Sequence, residues 1–399
     1  MIPLNHFKGD KIMISNLPQL SSSPVSGEEL GQRLGKVRAA MEENRLDFYV
    51  ATDPINIYYL TGFRFMILER PFILIIPSKG NMTLLLPGFD RLHAEVKVAI
   101  KLEYAEYAEF PAPEGVGWAD VYQKLFPSSA KVGIESSVPI SIEKRTPGTR
   151  VMIDIIDEVR IVKSEYEIGR LIHAGMVATL GMQKIFEATR PGVLEIMVNG
   201  AVNVAMIQKA LSDIPEMDML ASRFIGAVLP PSISGNPHII PTALMPMEEG
   251  GPQIAMIIPI IDGYGVEVQR TFFLGKVPEY AKRPYEVMMR ARAMAYGLAK
   301  PGAIVEDIDR RTRQIIIDAG YESICRTGHG VGLAIHEKPF IGIGSKTEII
   351  PGMVLSMLPS LYIGNQGGYR HSDTILITES GSIRLTKTPD SLEEMIIKM

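Results

Sequence analysis

The residues best suited to chemistry lie in the segment GHGVGLAIHEKP, residues 328–339. His329 and His336 stand near its two ends, and the glycines around them leave room for a backbone or a ligand to approach closely. Neutral imidazole near pH 7 can accept and return a proton. These two histidines are therefore candidates for a shared site, with a purely structural role as the alternative.

Further polar residues interrupt apolar stretches elsewhere in the chain: His238 in SGNPHIIP, Glu267 in GVEVQRT, and Arg370, His371 and Asp373 in GGYRHSDT. His238 follows a Gly-Asn-Pro turn, where core packing is not expected of a histidine. Glu267 is predicted to face a cavity, either as a base or as a partner that orients a histidine. An ion pair with Arg270 or Arg370 is the structural alternative for Glu267.

The first part of the chain predicts a small α/β domain over residues 27–157, after an amino-terminal arm over residues 1–26 that is rich in Ser, Pro and Asn. An amphipathic helix is predicted over Gly27–Asn44. Short apolar strands separated by turns and helical segments follow: Asp47–Thr52, Phe72–Pro77, Met82–Pro87, Lys131–Glu135 and Val151–Ile155. This alternation is typical of an α/β domain.

The second part, residues 158–399, contains a weak internal repeat. A long helix is predicted from the N-cap Ser164 to Ala188, and it is followed by the tripeptide Arg-Pro-Gly at 190–192. A second helical stretch is followed by Lys-Pro-Gly at 300–302. Two α–α–β units about a pseudo-twofold axis would explain this similarity, with a ligand cavity between them.

Strand signals complete the second domain. Ile254–Ile261 and Tyr264–Leu274 flank the turn Asp262-Gly263 and predict a hairpin, while Gly352–Met357 and Thr374–Thr378 predict two more strands. The fold class is therefore α+β, with an antiparallel sheet in the second domain.

Composition limits the classes of function. The net charge of -4 argues against a nucleic-acid partner bound through bulk electrostatics. One cysteine, Cys325, excludes an internal disulfide and suits a reducing compartment. Neither a secretory leader nor an apolar run of membrane-spanning length is visible. We expect a soluble cytoplasmic protein with no membrane partner.

Four motifs in chain order, GYGVEVQRTFFLG, GHGVGLAIHEKP, PGMVLSMLPSLY and GGYRHSDTILITESG, resemble those of the pita-bread family. That family includes methionine aminopeptidase, aminopeptidase P, prolidase and creatinase. The segment TDPINIYYLTGF resembles the amino-terminal domain of the last three. The resemblance implies a two-domain creatinase/prolidase-like chain whose second domain has the pita-bread fold, with a curved antiparallel sheet.

The resemblance also implies where metal ligands should lie. The family's metallopeptidases bind two divalent ions through five side chains, whose positions here are Met256, Glu267, His329, Leu358 and Ser372. A thioether, a leucine and a serine cannot replace carboxylates as ligands of hard divalent ions. The sequence therefore predicts no metal and no other cofactor.

Among family members, creatinase resembles this chain in kind, because it hydrolyses a small amidine without metal through a histidine. The resulting prediction is a metal-independent hydrolase of a C–N bond in an amidine, guanidine or amide. The assigned catalytic residues are His238, His336 and Glu267. A metal-dependent Xaa-Pro dipeptidase or aminopeptidase P, and a non-catalytic binding protein, are the alternatives.

The remaining assignments concern a small-molecule substrate. Its predicted binding residues are His329, Arg370, His371, Tyr264, Arg64 and Arg70. Family members with this amino-terminal domain commonly close their sites across a dimer, so the resemblance implies a homodimer in which Arg64 or Arg70 binds a substrate carboxylate of the partner's site.

Overall fold

The chain folds into two compact units, and the computed structural model describes residues 21–399. One unit spans Ser23–Arg160 and the other Ile161–Met399, together with the described residues 21–22. The sequence predicts a boundary after residue 157, whereas the two compact units meet after Arg160. Of the arm predicted over residues 1–26, residues 1–20 lie outside the described residues.

The amino-terminal unit is built on one six-stranded sheet. Its strands are β1 (Phe48–Ala51), β2 (Ile73–Pro77), β3 (Met82–Pro87), β4 (Leu102–Tyr107), β5 (Lys131–Ile134) and β6 (Thr149–Met152). Its helices are α1 (Gly27–Glu43), α2 (Pro54–Thr61), α3 (Arg91–Lys97), α4 (Trp118–Gln123), α5 (Ile140–Glu143) and α6 (Ile155–Val159), with a 3₁₀ turn at Gly88–Asp90. The strand order is β4-β3-β2-β1-β5-β6, and parallel and antiparallel pairs are mixed. The apolar strands pack on Tyr122 and Phe126.

The carboxy-terminal unit combines long helices with antiparallel sheets. Its helices are α7 (Glu165–Ala188), α8 (Glu195–Asp213), α9 (Pro231–Ser234), α10 (Glu279–Leu298) and α11 (Val305–Asp318), with a 3₁₀ turn at Gly364–Gln366. The strands before α10 are β7 (Arg223–Leu229), β8 (Gly250–Ile261), β9 (Tyr264–Gly265) and β10 (Val268–Leu274). Those after α11 are β11 (Gly328–Gly330), β12 (Glu337–Ile341), β13 (Val354–Met357), β14 (Ser360–Ile363), β15 (Gly367–Arg370), β16 (Asp373–Thr378), β17 (Gly381–Arg384) and β18 (Ile396–Ile397).

The internal repeat predicted from the two Pro-Gly breaks is confirmed. Helices α7 and α8 precede β7, and helices α10 and α11 precede β11, which gives two α–α–β units. Both breaks make the same contacts, because the amide of Gly192 donates to the carbonyl of Met247 and that of Gly302 to the carbonyl of Ile349. Both glycines have positive φ, 81° and 86°, a conformation that favours glycine.

The start of α7 follows the sequence signal. Ser164 is the N-cap, and its side chain accepts from the amide of Glu167 while the Glu167 carboxylate accepts from the amide of Ser164. This reciprocal capping box satisfies two amides that the helix itself leaves without partners.

Two five-stranded sheets form the centre of the carboxy-terminal unit. One has the order β18-β10-β8-β7, with β9 paired to β8, and the other has the order β12-β11-β13-β16-β17. A single antiparallel bridge joins the two ladders, between Gln269 in β10 and Ser372 just before β16. Strands β14 and β15 form a separate ribbon. The predicted antiparallel pita-bread arrangement is confirmed, as two sheets that meet at one bridge.

The helices α10 and α11 cover the second sheet with an apolar layer. Ala295, Val305 and Ile308 from the helices pack against Leu355 and Ile375 from the strands. All five are almost fully buried, so this layer supplies a rigid support for β11 and β13. No helix among residues 21–399 has the length and apolar character needed to cross a membrane.

Candidate metal centre

Strand β11 holds the first histidine in the middle of the second sheet. It pairs with β12 on one side and with β13 on the other, and both neighbours approach closely at the glycines. A Cβ on Gly328 would lie 2.3 Å from the carbonyl oxygen of Ser356, and one on Gly330 would lie 2.2 Å from that of Lys338. Glycine is therefore required at both positions, as the sequence predicted for close backbone approach.

His329 lies between these glycines and is 1% exposed. Its Nδ1 is 3.0 Å from the carbonyl oxygen of Gly330. Because a carbonyl oxygen can only accept, Nδ1 carries the ring hydrogen, and a neutral ring then presents a lone pair at Nε2. Nε2 is buried and makes no hydrogen bond within residues 21–399.

Glu267 lies opposite this nitrogen, between β9 and β10, and it is 2% exposed. Its Oε1 is 3.2 Å from Nε2 of His329, and the hydroxyl of Ser356 donates a short hydrogen bond to the same oxygen. The backbone of Glu267 is fixed by Thr374, whose hydroxyl accepts from its amide and donates to its carbonyl. The carboxylate is therefore held in one orientation toward His329.

Electrostatics keep this buried carboxyl ionised. Burial by itself would raise the pKa of Glu267, but the contact with His329 outweighs burial. The positive charge of Arg370 and the hydrogen bond from Ser356 act in the same direction, so the pKa lies below its usual range. Arg270, one of the two arginines considered as an ion-pair partner, binds Asp373 at 2.8 Å instead.

His336 completes a three-residue cluster. Its ring centroid is 4.0 Å from that of His329, and the ligating atoms of Glu267, His329 and His336 all lie within 4.8 Å of one another. A register shift in the β11–β12 pairing at Gly330 brings the two histidines to the same place. The side chain of His336 is exposed, whereas the other two are buried.

The environment of His336 favours its neutral form. Desolvation lowers the pKa of His336 to about 4, and proximity to His329 acts in the same direction. Its Nδ1 also lies 3.5 Å from a terminal nitrogen of Arg326, a long contact. At neutral pH the ring is therefore without its extra proton and can donate a lone pair.

The structure brings Glu267, His329 and His336 together but places two other predicted residues elsewhere. His238 has an exposed side chain on the turn after α9 and is outside the three-residue cluster. Tyr264 is buried, packs edge-on against Tyr166, and its hydroxyl donates to Glu167. The assigned roles of both residues stay predictions.

Arg370 and His371, at the end of β15 and just beyond it, differ in their surroundings. Arg370 is half-buried, its charge acts on Glu267, and its Nε makes no hydrogen bond in the described part of the chain. His371 is fully buried against the ring of Tyr285. Burial lowers the pKa of His371 well below its usual value, and the nearby charges of Arg270 and Arg292 lower it further. The ring is therefore neutral.

Arg64 and Arg70 belong to the amino-terminal unit. The guanidinium of Arg64 lies 4.6 Å from the centre of the Tyr58 ring. Arg70 is paired with Glu109 at 2.8 Å and with Glu69 at 3.2 Å. Their predicted contact with substrate stays a prediction.

Two site residues were missed by the sequence reasoning. Ser356 hydrogen-bonds Glu267, and Gln269 lies with Nε2 3.4 Å from its other oxygen. A signal for Ser356 was present, since it is the one polar residue in the apolar run MVLSML. Gln269 lies two positions beyond Glu267, the spacing of one face of a strand.

Comparisons with known proteins agree with this architecture. The family model described as Metallopeptidase family M24 matches residues 169–379, and that of the Creatinase/Prolidase N-terminal domain matches residues 33–162. The chain is similar to an Xaa-Pro dipeptidase of Pyrococcus furiosus, with 28% identity over 371 residues that cover 90% of this chain and 99% of the relative.

Solved structures show the same relationship. The prolidase of Pyrococcus horikoshii is 27% identical, with a TM-score of 0.74, and the match covers 90% of this chain and 99% of that one. A prolidase of Thermococcus sibiricus is 25% identical, with a TM-score of 0.79, covering 93% and 99%.

A match to a metallopeptidase family implies bound metal. The fit of the donor residues present differs between a two-ion site and a one-ion site. The five-ligand set does not fit, because Met256, Leu358 and Ser372 provide no carboxylate. A single ion fits, because Glu267, His329 and His336 offer one carboxylate and two imidazoles within reach of one point. Such an ion would bind the buried Nε2 of His329, which makes no hydrogen bond among the described residues.

These findings overturn the prediction of a metal-independent, creatinase-like hydrolase of an amidine or guanidine. The matching family is one of metallopeptidases, and the similar proteins are named Xaa-Pro dipeptidase and prolidase. The physical reason is that the available donors are not confined to the five family positions. The fold places His336, which is at none of them, beside His329.

The helical repeats, the paired sheets and the match of the family model to more than half of the sequence lead to one conclusion: this chain belongs to metallopeptidase family M24.

Proposed function

We propose that the protein is a metal-dependent Xaa-Pro dipeptidase, which hydrolyses the peptide bond before a carboxy-terminal proline. The observation that carries this proposal is the cluster of Glu267, His329 and His336, which retains a metal-binding donor set in the matched domain. The similar Xaa-Pro dipeptidase, which aligns over 90% of this chain, supports the choice of substrate.

Glu267, His329 and His336 are the residues that would hold the metal. With a divalent ion held there, the site would supply Lewis-acid polarisation of the substrate carbonyl and a water nucleophile at neutral pH. The chain contributes the orientation of the donors. Ser356 fixes the carboxylate of Glu267, and the carbonyl of Gly330 fixes the ring of His329.

Arg370 is suited to bind the carboxylate of a dipeptide. Its Nε is buried without a hydrogen bond in residues 21–399, and its positive charge reaches Glu267 and His336. A guanidinium binds a carboxylate through two parallel hydrogen bonds. This contact would favour substrates with a free carboxy terminus next to the scissile bond, as in a dipeptide.

The leaving nitrogen of proline must receive a proton when the bond breaks. The predicted donor is His238, whose exposed side chain lies in the same unit as the cluster. We keep this assignment as part of the proposal.

We also propose that the protein acts in the cytoplasm as a homodimer on a small-molecule substrate, and sedimentation at micromolar concentration tests the dimer.

The test is a substrate panel with purified protein, with and without chelator. The panel contains Xaa-Pro dipeptides, the same dipeptides with an amidated carboxy terminus, longer Xaa-Pro peptides, and creatine. We expect hydrolysis of the free dipeptides, weaker hydrolysis of the amides, and loss of activity with chelator. Hydrolysis of creatine alone, or activity that chelator leaves unchanged, would contradict the proposal. A metal-loaded protein inactive on the whole panel would favour the non-catalytic alternative.

A further inference from the structure

We infer that Glu267, His329 and His336 bind one zinc-type divalent ion per chain, with His336 as a direct ligand. Such a site differs from the five-ligand, two-ion set, to which only Glu267 and His329 correspond by position. The catalytic role of the ion rests on the proposed function, but the test of this inference measures metal binding alone.

The hydrogen bonding of His329 is that of a metal ligand. Metal-binding histidines commonly donate their second ring N–H to a carbonyl or carboxylate, which fixes the ring and directs the lone pair. Here Nδ1 of His329 donates to the Gly330 carbonyl at 3.0 Å. Nε2 therefore faces Oε1 of Glu267 at 3.2 Å with no hydrogen bond between them among the described residues. Two electron-rich atoms at this distance need a cation near both: a proton on Nε2, which makes the ring positively charged, or a metal ion that replaces that proton.

The spacing of the donors fits one ion. Two ligands held at about 2.0–2.1 Å from a tetrahedral ion lie about 3.3 Å apart. The separation between Nε2 of His329 and Oε1 of Glu267 is 3.2 Å, and the third donor lies within 4.8 Å of both. Binding through Nδ1 of His336 would replace its long contact with Arg326, whereas binding through Nε2 would retain it.

The residues around the donors favour one ion over two. Glu267 is the single carboxylate of the cluster. Its two oxygens accept hydrogen bonds from Ser356 and Gln269. Arg370 adds a positive charge close to Glu267. A second dication would meet this charge with no further carboxylate to offset it, since Leu358 and Ser372 stand at the corresponding positions.

The donor set also selects among metals. Two imidazole nitrogens and one carboxylate oxygen form the set that binds zinc in several hydrolases. Imidazole suits zinc, copper, iron and nickel, whereas manganese and magnesium prefer sites made of oxygen ligands. The site should therefore retain Zn²⁺, and Co²⁺ as its spectroscopic substitute, in preference to Mn²⁺ or Mg²⁺.

The experiment uses the full chain, stripped with chelator, loaded separately with Zn²⁺ or Mn²⁺ and desalted before elemental analysis. We expect about one zinc and little manganese per chain, and a visible absorption band from bound Co²⁺. His336→Gln should lower zinc affinity at least tenfold and change the Co²⁺ spectrum. His93→Gln is the control, because it removes an exposed histidine of the amino-terminal unit, outside the metal cluster, and should leave both readouts unchanged.

His336→Gln carries the test, because an exposed side chain can be replaced with little effect on folding, which circular dichroism checks. Two zinc ions per chain, no retained zinc, or equal zinc affinity in His336→Gln and wild type would each overturn the inference. Failure of the proposed function is seen separately: one zinc bound through His336 without dipeptide hydrolysis refutes the dipeptidase and leaves the metal site standing.

Discussion

At the scale of single residues, the short contact between Glu267 and His329 organises the candidate centre. Both side chains are buried, and each is oriented by one neighbour, Ser356 for the carboxylate and the Gly330 carbonyl for the imidazole. Such supporting contacts fix the direction of a ligand's lone pair before an ion binds. Removing these supporting contacts should therefore change metal affinity more than it changes the stability of the folded protein.

Ser356→Ala tests this support. The substitution removes the hydrogen bond to Oε1 of Glu267 and should lower metal affinity by about 10–100-fold, measured by competition with a chromophoric chelator. Ser372→Ala is the control, because Ser372 is equally buried and its hydroxyl has no hydrogen-bond partner in the described chain. Equal loss of affinity in both variants would contradict the supporting role, and would point to Ser372 as a ligand.

His238→Ala tests proton transfer to the leaving nitrogen. Removal of a general acid typically costs about 10²–10⁴-fold in rate, so kcat for Xaa-Pro dipeptides should fall at least about a hundredfold. The melting temperature and the bound metal should stay as in wild type, since the side chain is exposed and lies outside the metal cluster. Near-normal kcat would show that another group supplies the proton.

At the scale of elements, the turn between β11 and β12 carries His336, and a buried ion pair holds that turn. Lys163 Nζ lies 2.7 Å from Oε1 of Glu337, and the other oxygen of Glu337 accepts from the amide of Ala334. Lys163 also donates to the carbonyl of Ile161. The start of the unit is thereby tied to the turn that brings His336 beside His329.

Lys163→Met should destabilise the folded protein. Removing one partner of a buried pair leaves an uncompensated charge and costs about 3–5 kcal/mol, seen as a lower free energy of unfolding in urea. Lys184→Met is the matched control, because the pair Lys184–Glu187 is exposed and its loss should cost about 0–1 kcal/mol. Similar costs for the two variants would contradict the importance of the buried pair.

The elements show which parts of the fold the sequence could predict. Helix α7 was predictable from its N-cap Ser164, and the Pro-Gly breaks pointed to the repeat, because caps and turns are local. Strand β4 was not predicted, since LEYAEY mixes charged and half-buried residues at the edge of its sheet. The hairpin β14–β15, joined through Gly364–Gln366, was not predicted either, since the strand Gly367–Arg370 begins with two glycines, which are depleted in strands.

The candidate site divides in the same way. Glu267 and His329 could be named from motifs, whereas their pairing with His336 depends on the register shift at Gly330, which no local pattern indicates. Burial and hydrogen bonds determine whether a histidine is free to bind. His371 lies in a motif and yet is enclosed by the core.

At the scale of the whole molecule, the buried neutral ring of His371 links stability to pH. Its pKa in the folded protein is far below the value of about 6.5 for an unfolded chain. Below about pH 6.5 the unfolded chain therefore takes up a proton that the folded one does not. The contribution of His371 to stability is present above this pH and is lost as pH falls, by up to about 1.4 kcal/mol per pH unit.

His371→Phe should remove this dependence. Phenylalanine keeps a ring against Tyr285 but cannot bind a proton. We expect the free energy of unfolding of wild type to decrease faster than that of the variant between pH 6.5 and 4.5, measured by urea titration at each pH. Parallel pH profiles for the two proteins would show that the ring is protonated in the folded state or accessible to solvent.

The most direct test of a single-metal dipeptidase is a titration of activity against metal. Chelator-stripped protein at a concentration well above its dissociation constant is supplied with increasing Zn²⁺, and Xaa-Pro dipeptide hydrolysis is measured at each ratio. The proposed centre at Glu267, His329 and His336 predicts activity that rises linearly and stops rising at one equivalent per chain. A break at two equivalents, or full activity before any metal is added, would contradict it.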